Sequence, residues 1–270
     1  MPIPKIIHYC WLSNDPIPNN FDKNIVSWKK YLFDYEFILW NFNRFNIDNS
    51  LWVKQASYSK KYAFASDYIR LFAIYHYGGI YLDLDVEILK SFNDLLNNNI
   101  MMGYENEKKE IASACFGAEK NHPFILQCLN YYNNRLFIKS NGDYETTPLP
   151  YILKYIYNNY SKNSSISFLP STFFSPKDFS TGLISIDKNT YSIHHFSGSW
   201  LSDVEQNFVK ERWNFYSKYG NDSYLVNLYK KLVDYEEKDV YKIPIKSLYK
   251  IAIKRTFTRI TEKCKKLLKK

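Results

Sequence analysis

The chain has 270 residues, of which 46% are hydrophobic and 19% aromatic. That composition belongs to a packed globule and excludes a disordered chain, with enough length for one sizeable domain and an appendage. The net charge is +9, but Lys242 to Lys270 holds eleven Lys/Arg against the single acid Glu262, so the remaining residues sum to about −1 and give no sign of a nucleic-acid-binding body. No run of eighteen or more apolar residues occurs, so no transmembrane helix is expected. The opening MPIPKIIHYCW lacks a signal-peptide layout. Cys10, Cys115, Cys128 and Cys264 form no C-x-x-C pair, which argues against a zinc knot or disulfide framework and fits a reducing cytoplasm.

The first element is a β-like run from Lys5 to Leu12, closed by the turn residues Ser13-Asn14-Asp15-Pro16. Residues 21–33 carry Ile25, Trp28 and Leu32 at helical spacing. Tyr35–Trp40 reads as a second strand, and Tyr58–Tyr77 as a helix stopped by Gly78. Tyr81–Glu87 reads as one strand. Ile100–Tyr104, Ile111–Ala118, Ile166–Leu169 and Tyr191–Phe196 are further strand-like pieces, with helices expected over 123–136 and 148–160. Alternating strands and helices predict an α/β fold with a mainly parallel central sheet, whose ligands bind beyond the carboxyl ends of the strands. Residues 1–240 are expected to form the main domain. The segment 241–270, with Lys242, Lys246, Lys250 and Lys254 beside the apolar stripe Ile245, Tyr249, Ile253, Phe257, Ile260, Cys264 and Leu267, is expected to be a basic amphipathic helix. Such a helix suits an anionic membrane surface, the bland alternative being a solvated last helix packed on the body.

The informative stretch is Tyr81-Leu82-Asp83-Leu84-Asp85-Val86-Glu87. In a strand, alternate side chains share a face, so Tyr81, Asp83, Asp85 and Glu87 are expected on one side. Carboxylates in such an apolar run need a cation, a proton or water. Mg²⁺ and Mn²⁺ take one or two protein carboxylates and complete their shell with water and phosphate oxygens. Upstream, Asp67 and Arg70 stand three apart on the expected helix and share a face. Arg offers a planar fork for phosphate, and a surface ion pair is the plain alternative. Downstream, His194-His195-Phe196-Ser197-Gly198-Ser199-Trp200 offers imidazoles that suit a mixed oxygen and nitrogen metal shell.

Taken together, IPKIIHYCWLS, YAFASDYIRLFAIYHYGGIYLDLDVE and HHFSGSW resemble the D-x-D sugar transferases of glycosyltransferase family 32, and are similar to the catalytic domains of large bacterial glucosylating toxins. The resemblance runs over roughly residues 3–200. It implies a GT-A, Rossmann-like nucleotide-sugar fold with C-terminal helices, and a metal-dependent transfer with retention at the anomeric carbon. It also implies roles: Trp11 stacks on the nucleotide base; Ser66, Asp67 and Arg70 contact ribose, sugar hydroxyls and phosphate; Tyr81 lies beside the diphosphate. Asp83 reaches ribose, sugar or metal-bound water, Asp85 binds the metal directly, and His195, which precedes Phe-x-Gly, is the metal histidine. Ser199 and Trp200 close over the diphosphate. Glu87 receives no role.

The expected activity is a retaining hexosyltransferase using Mn²⁺ or Mg²⁺ and a UDP-sugar. Its acceptor would be a saccharide or an undecaprenyl-diphosphate-linked glycan, at the cytoplasmic face of the plasma membrane, in capsule or surface-polysaccharide assembly. Three alternatives remain open: a toxin-like enzyme that glycosylates protein, a phosphatase with an Asp nucleophile, and a non-catalytic membrane-associated nucleotide-sugar or cation-binding module.

Overall fold

The computed structural model describes residues 2–106, 110–161, 166–198, 201–220 and 226–227. Ser199, Trp200, the 240/241 boundary and the basic segment 242–270 lie outside the described residues. The chain divides into two compact units, Met1–Lys177 with Ser185–Ser197, and Asp178–Ile184 with Gly198–Lys270.

The first unit is α/β. In chain order it holds β1 (Ile6–Cys10), α1 (Asp22–Tyr31), β2 (Glu36–Trp40), α2 (Leu51–Tyr58), α3 (Tyr62–Tyr77), β3 (Gly79–Leu82), β4 (Val86–Ile88), β5 (Ile100–Met101), β6 (Cys115–Ala118), α4 (Pro123–Asn130), α5 (Leu149–Asn158), α6 (Ser171–Phe174) and β7 (Ser192–His194). Five strands form a sheet in the order β2-β1-β3-β6-β5. β1 pairs in parallel with both β2 and β3, while β6 is antiparallel to β3 and to β5. Four of the five strands therefore point one way and β6 alone is reversed, so the expected mainly parallel sheet is present. The small sheet of β4 and β7 is separate and antiparallel.

Both faces of the large sheet are covered, as strands buried on two sides require. Along β3 the layers alternate: Tyr81 joins the core with Trp40, Trp52, Ile69 and Phe116, whereas Ile80 and Leu82 join the one with Ile7, Trp28, Phe92 and Phe174. A buried imidazole ties the parallel strands together. Trp40 Nε1 donates to His8 Nδ1 at 3.0 Å, and His8 Nε2 lies 2.8 Å from the Gly78 carbonyl. Because Nδ1 accepts, Nε2 must carry the hydrogen, so His8 is the neutral Nε2–H tautomer.

The junction of α3 and β3 needs glycine twice. Gly78 (φ +69°) ends the helix and Gly79 (φ +103°) opens the strand; a Cβ on Gly79 would sit 2.6 Å from the Ile6 carbonyl oxygen. That close approach lets β3 lie against β1, and since they are parallel, Trp11 and Asp83 both follow the carboxyl-terminal ends of their strands.

Two sequence expectations change here. Tyr81–Glu87 is not one strand: β3 stops at Leu82, residues 83–86 turn, with Val86 N–H donating to the Asp83 carbonyl at 3.0 Å, and β4 begins in the other sheet. The expected strand Ile166–Leu169 is reduced to an isolated bridge from Leu169 to Gly103, while Ile100–Tyr104 and Ile111–Ala118 shorten to β5 and β6, with Tyr104 and Ile111 joined by an isolated bridge. Two helices were not anticipated. α2 starts at Ser50, whose side chain accepts from Val53 N–H. α7 (Asp203–Tyr219), in the second unit, begins with a capping box between Ser202 and Glu205. In that unit Arg212 and Trp213 both donate to the Phe179 carbonyl.

Candidate metal and donor site

The turn at 83–86 is held from behind by α1. Asn24 Nδ2 donates to the Leu84 carbonyl at 2.8 Å, Trp28 Nε1 to the Val86 carbonyl at 2.6 Å, and the Ser27 hydroxyl accepts from Ile88 N–H at 2.9 Å. Buried backbone groups that have left a strand ladder need such partners, and these bonds fix where the two aspartates point. Asp83 and Asp85 thus converge through a turn, and the period-2 face expected from the sequence does not apply.

Asp83 belongs to a cluster built on α3. Arg70 Nη1 donates to Asp83 Oδ2 at 3.1 Å and to the Ser113 carbonyl at 2.9 Å; Nη2 lies 3.0 Å from Ser66 Oγ and 3.3 Å from Asp67 Oδ1. Its guanidinium also stands 4.5 Å from the centre of the Tyr81 ring. Both terminal nitrogens are therefore engaged with protein acceptors. The expectation of an open fork for phosphate gives way to a hub that orients the two acids around it. Ser66 Oγ donates to the Ala63 carbonyl at 2.7 Å. Tyr81, 1% exposed, donates its hydroxyl to Asp83 Oδ1 at 2.9 Å, so it steadies this carboxylate from below. Burial raises the Asp67 carboxyl to about 7, an effect Arg70 opposes and Asp83 reinforces. Asp83 is raised as well, by burial first, with Arg70 opposing and Asp85 adding.

Asp85 sits in the opposite environment. Its burial would raise it, but His194 and the Ser197 N–H, which donates to Asp85 Oδ2 at 2.7 Å, hold it well below the usual carboxylate range. His194 Nε2 is 3.5 Å from Asp85 Oδ2. His194 Nδ1 is 3.5 Å from Glu105 Oε1, yet it is buried without an aligned hydrogen bond among the described residues. Burial would lower His194; Asp85 and then Glu105 outweigh it and lift the imidazole to about 10.

Among the described residues, Asp83, Asp85 and His194 each offer a ligand atom, and these atoms lie within 4.8 Å of one another. The histidine that joins the aspartates is thus His194, not His195. β7 pairs His194 with Val86 directly beside the turn, whereas the His195 ring points to Glu87, with Nε2 2.9 Å from Oε2. The donor set fits a hard divalent cation: two carboxylates and one imidazole fill part of a shell and leave positions for water and phosphate oxygens.

Trp11 lies just beyond β1, half-buried, with Nε1 donating to the Asp15 carbonyl at 2.6 Å. Missed by sequence reasoning were Asn24, Ser27 and Trp28, which position the turn, and Lys177, 8% exposed, whose Nζ donates to the His195 carbonyl at 2.9 Å. Only Trp28 carried a sequence signal, and it read as plain core.

Residues 18–102 match the family described as glycosyltransferase sugar-binding region containing DXD motif. The match contains α1, α3, the turn and both aspartates. Inositol phosphoceramide mannosyltransferase 1 of Schizosaccharomyces pombe is 31% identical over 147 residues, covering 51% of this chain and 46% of that protein. Mannosyl phosphorylinositol ceramide synthase SUR1 of Saccharomyces cerevisiae is 27% identical over 225 residues, 77% of this chain and 56% of that one. The chain thus spans about half the length of these relatives. A solved structure titled PaToxG Glycosyltransferase is 20% identical with a TM-score of 0.44, covering 58% of this chain and 70% of that one.

Proposed function

We propose that this chain is a glycosyltransferase that moves a hexose from a nucleotide sugar to a hydroxyl of a lipid-linked acceptor. The observation that carries the reading is the convergence of Asp83, Asp85 and His194 at the carboxyl end of the parallel strands, inside and beside the stretch matching the DXD sugar-binding region. Asp85, His194 and Asp83 would hold Mn²⁺ or Mg²⁺. A cation bound there supplies Lewis-acid neutralisation of the departing diphosphate.

The protein's own groups do the rest. Asp67 and Asp83, held rigid by Arg70, present carboxyl oxygens as acceptors for sugar and ribose hydroxyls. Arg70 supplies a fixed positive charge behind them. Trp11, just beyond the carboxyl-terminal end of β1, is the stacking surface for the base. Retention at the anomeric carbon belongs to the same reading and rests on the resemblance of the Ser66–Glu87 block.

Relatives whose names couple mannosyl transfer to inositol phosphoceramide favour mannose as the first donor sugar to test beside UDP-hexoses, and a polyol headgroup lipid as the first acceptor. The undecaprenyl-linked glycan and the capsule role have no counterpart in those names. Work at the inner membrane face is supported by the basic segment 242–270.

The deciding assay incubates the full chain with Mn²⁺ and a panel of UDP- and GDP-sugars, with and without an inositol phospholipid or a polyprenyl-linked glycan, and follows nucleotide release. One donor that turns over, with loss of turnover in Asp85→Asn, is the expected result. A flat panel, or unchanged turnover in Asp85→Asn, overturns the reading.

A further inference from the structure

Glu87 shares the acidic stretch with Asp83 and Asp85 yet stands outside their cluster. Its Oε2 accepts from His195 Nε2 at 2.9 Å and from Lys23 Nζ at 3.1 Å. A carboxylate only accepts, so His195 Nε2 must carry its hydrogen toward Glu87 and is not available as a ligand while that bond stands.

His195 is held at two further points. Its backbone N–H donates to the Asp85 carbonyl at 2.9 Å, and its own carbonyl accepts from Lys177 Nζ at 2.9 Å. Ring, N–H and C=O of one residue are thus each engaged. His195 lies directly after His194, a candidate ligand, and two residues before Ser197, whose N–H holds Asp85 Oδ2. Between them Phe196 has φ +55°, a left-handed backbone that a bulky residue adopts at a cost of about 1–2 kcal/mol. Such a conformation persists where its surroundings over-determine it, and the three bonds of His195 supply that constraint on one side, the Ser197–Asp85 bond on the other.

From this geometry we infer that Glu87 and His195 are positioning residues that set the orientation of Asp85 and His194 for a divalent cation, with Lys177 as the third anchor of the same loop. The inference rests on the metal reading proposed above. Glu87 fixes the ring, the ring fixes the 195–197 backbone, and that backbone fixes both a ligand side chain and the carboxylate oxygen of the other. The Lys23 end of the pair is exposed and contributes little.

The test measures Mn²⁺ affinity of the full chain directly, from the free-ion electron paramagnetic resonance signal, together with the urea unfolding midpoint. Wild type, Glu87→Gln, His195→Ala and His195→Gln are compared, with His194→Ala as the reference for a lost ligand. Glu87→Gln and His195→Ala are expected to weaken Mn²⁺ by about 10–100-fold, the range for outer partners of metal ligands, at an unfolding midpoint close to wild type. His195→Gln, whose amide nitrogen can reach Glu87 much as Nε2 does, is expected to recover most of the loss.

Wild-type affinity in both Glu87→Gln and His195→Ala overturns the positioning role while leaving the metal site standing. His195→Gln as weak as His195→Ala overturns it in favour of direct ligation by the ring. A midpoint that falls in step with affinity in Glu87→Gln reduces the pair to a structural one and also overturns it. If wild type binds no Mn²⁺, with or without UDP, the metal reading itself fails and this inference with it.

Discussion

Asp83 and Asp85 are two residues apart and have opposite surroundings. Asp83 closes a knot of buried side chains in which Arg70, Tyr81, Ser66 and Asp67 satisfy one another. Asp85 faces the Ser197 N–H of a loop and the Nε2 of the His194 imidazole. The first region is bonded within itself, with Asp83 as its part-exposed rim. The difference separates an anchored wall from an adjoining edge: in the proposed reading Asp67 and Asp83, anchored by Arg70, orient the sugar, and Asp85 with His194, completed by Asp83, takes the cation.

The sharpest way to break that comparison is to remove the hub. Arg70→Met leaves buried Asp67 and part-exposed Asp83 without a counter-charge and should cost about 3–5 kcal/mol in urea unfolding, with partial recovery when Asp67→Asn is added. Asp85→Asn keeps a side-chain oxygen for the Ser197 N–H but removes the charge facing His194, so it should cost some stability, less than Arg70→Met, with a loss of divalent-cation-dependent turnover larger than the roughly 100-fold that outer partners reach. If both variants lose stability equally, the two aspartates do not differ as described.

His8 gives an expectation of middling size. Burial, reinforced by Arg44 and opposed by the bond to Gly78, lowers it from 6.5 to about 4. Below pH 6.5 the unfolded chain takes up a proton that the folded chain refuses. Stability contributed by neutral His8 is therefore present above pH 6.5 and is lost as pH falls toward 4, up to about 3 kcal/mol. Asp67, raised to about 7, binds a proton in the folded chain over the same range and acts in the opposite direction, so the His8 contribution is read as the difference between wild type and His8→Gln: on going from about pH 7.5 to about pH 5 the wild-type urea midpoint should fall relative to that of His8→Gln.

Trp28→Phe keeps the ring's packing but strands the Val86 carbonyl, an expected loss of about 1–3 kcal/mol with a looser 83–86 turn, read by unfolding and by amide exchange at Val86 and Glu87. At the small end, Lys23→Ala removes an exposed partner of Glu87 and should change stability by less than about 1 kcal/mol.

Much of the fold was legible because burial imposes a period. Ile6–Cys10, Glu36–Trp40, α1, α3, α4 and α5 sit where apolar spacing, Gly78 and Pro123 place them. The α7 start was missed although its signal was present: Ser202-Asp203-Val204-Glu205 is a capping box. α2 is two turns long and its cue, Ser50, is a lone polar residue, too little for a pattern to declare.

Local sequence singled out most of the residues that meet at the candidate site. The acids of the D-x-D stretch, Asp67 with Arg70 one helical turn apart, and a histidine pair near a small-residue turn are all readable as types and spacings. It could not determine how they meet. The period-2 rule assumes a continuous strand, and hydrogen bonds with Asn24, Ser27 and Trp28, some sixty residues away in sequence, hold Tyr81–Glu87 as strand, turn and strand. The choice of His194 over His195 was likewise tertiary. Neighbouring side chains on a strand point to opposite sides, so the register of β7 on β4 decides which of two adjacent imidazoles meets Asp85 and which is left to Glu87.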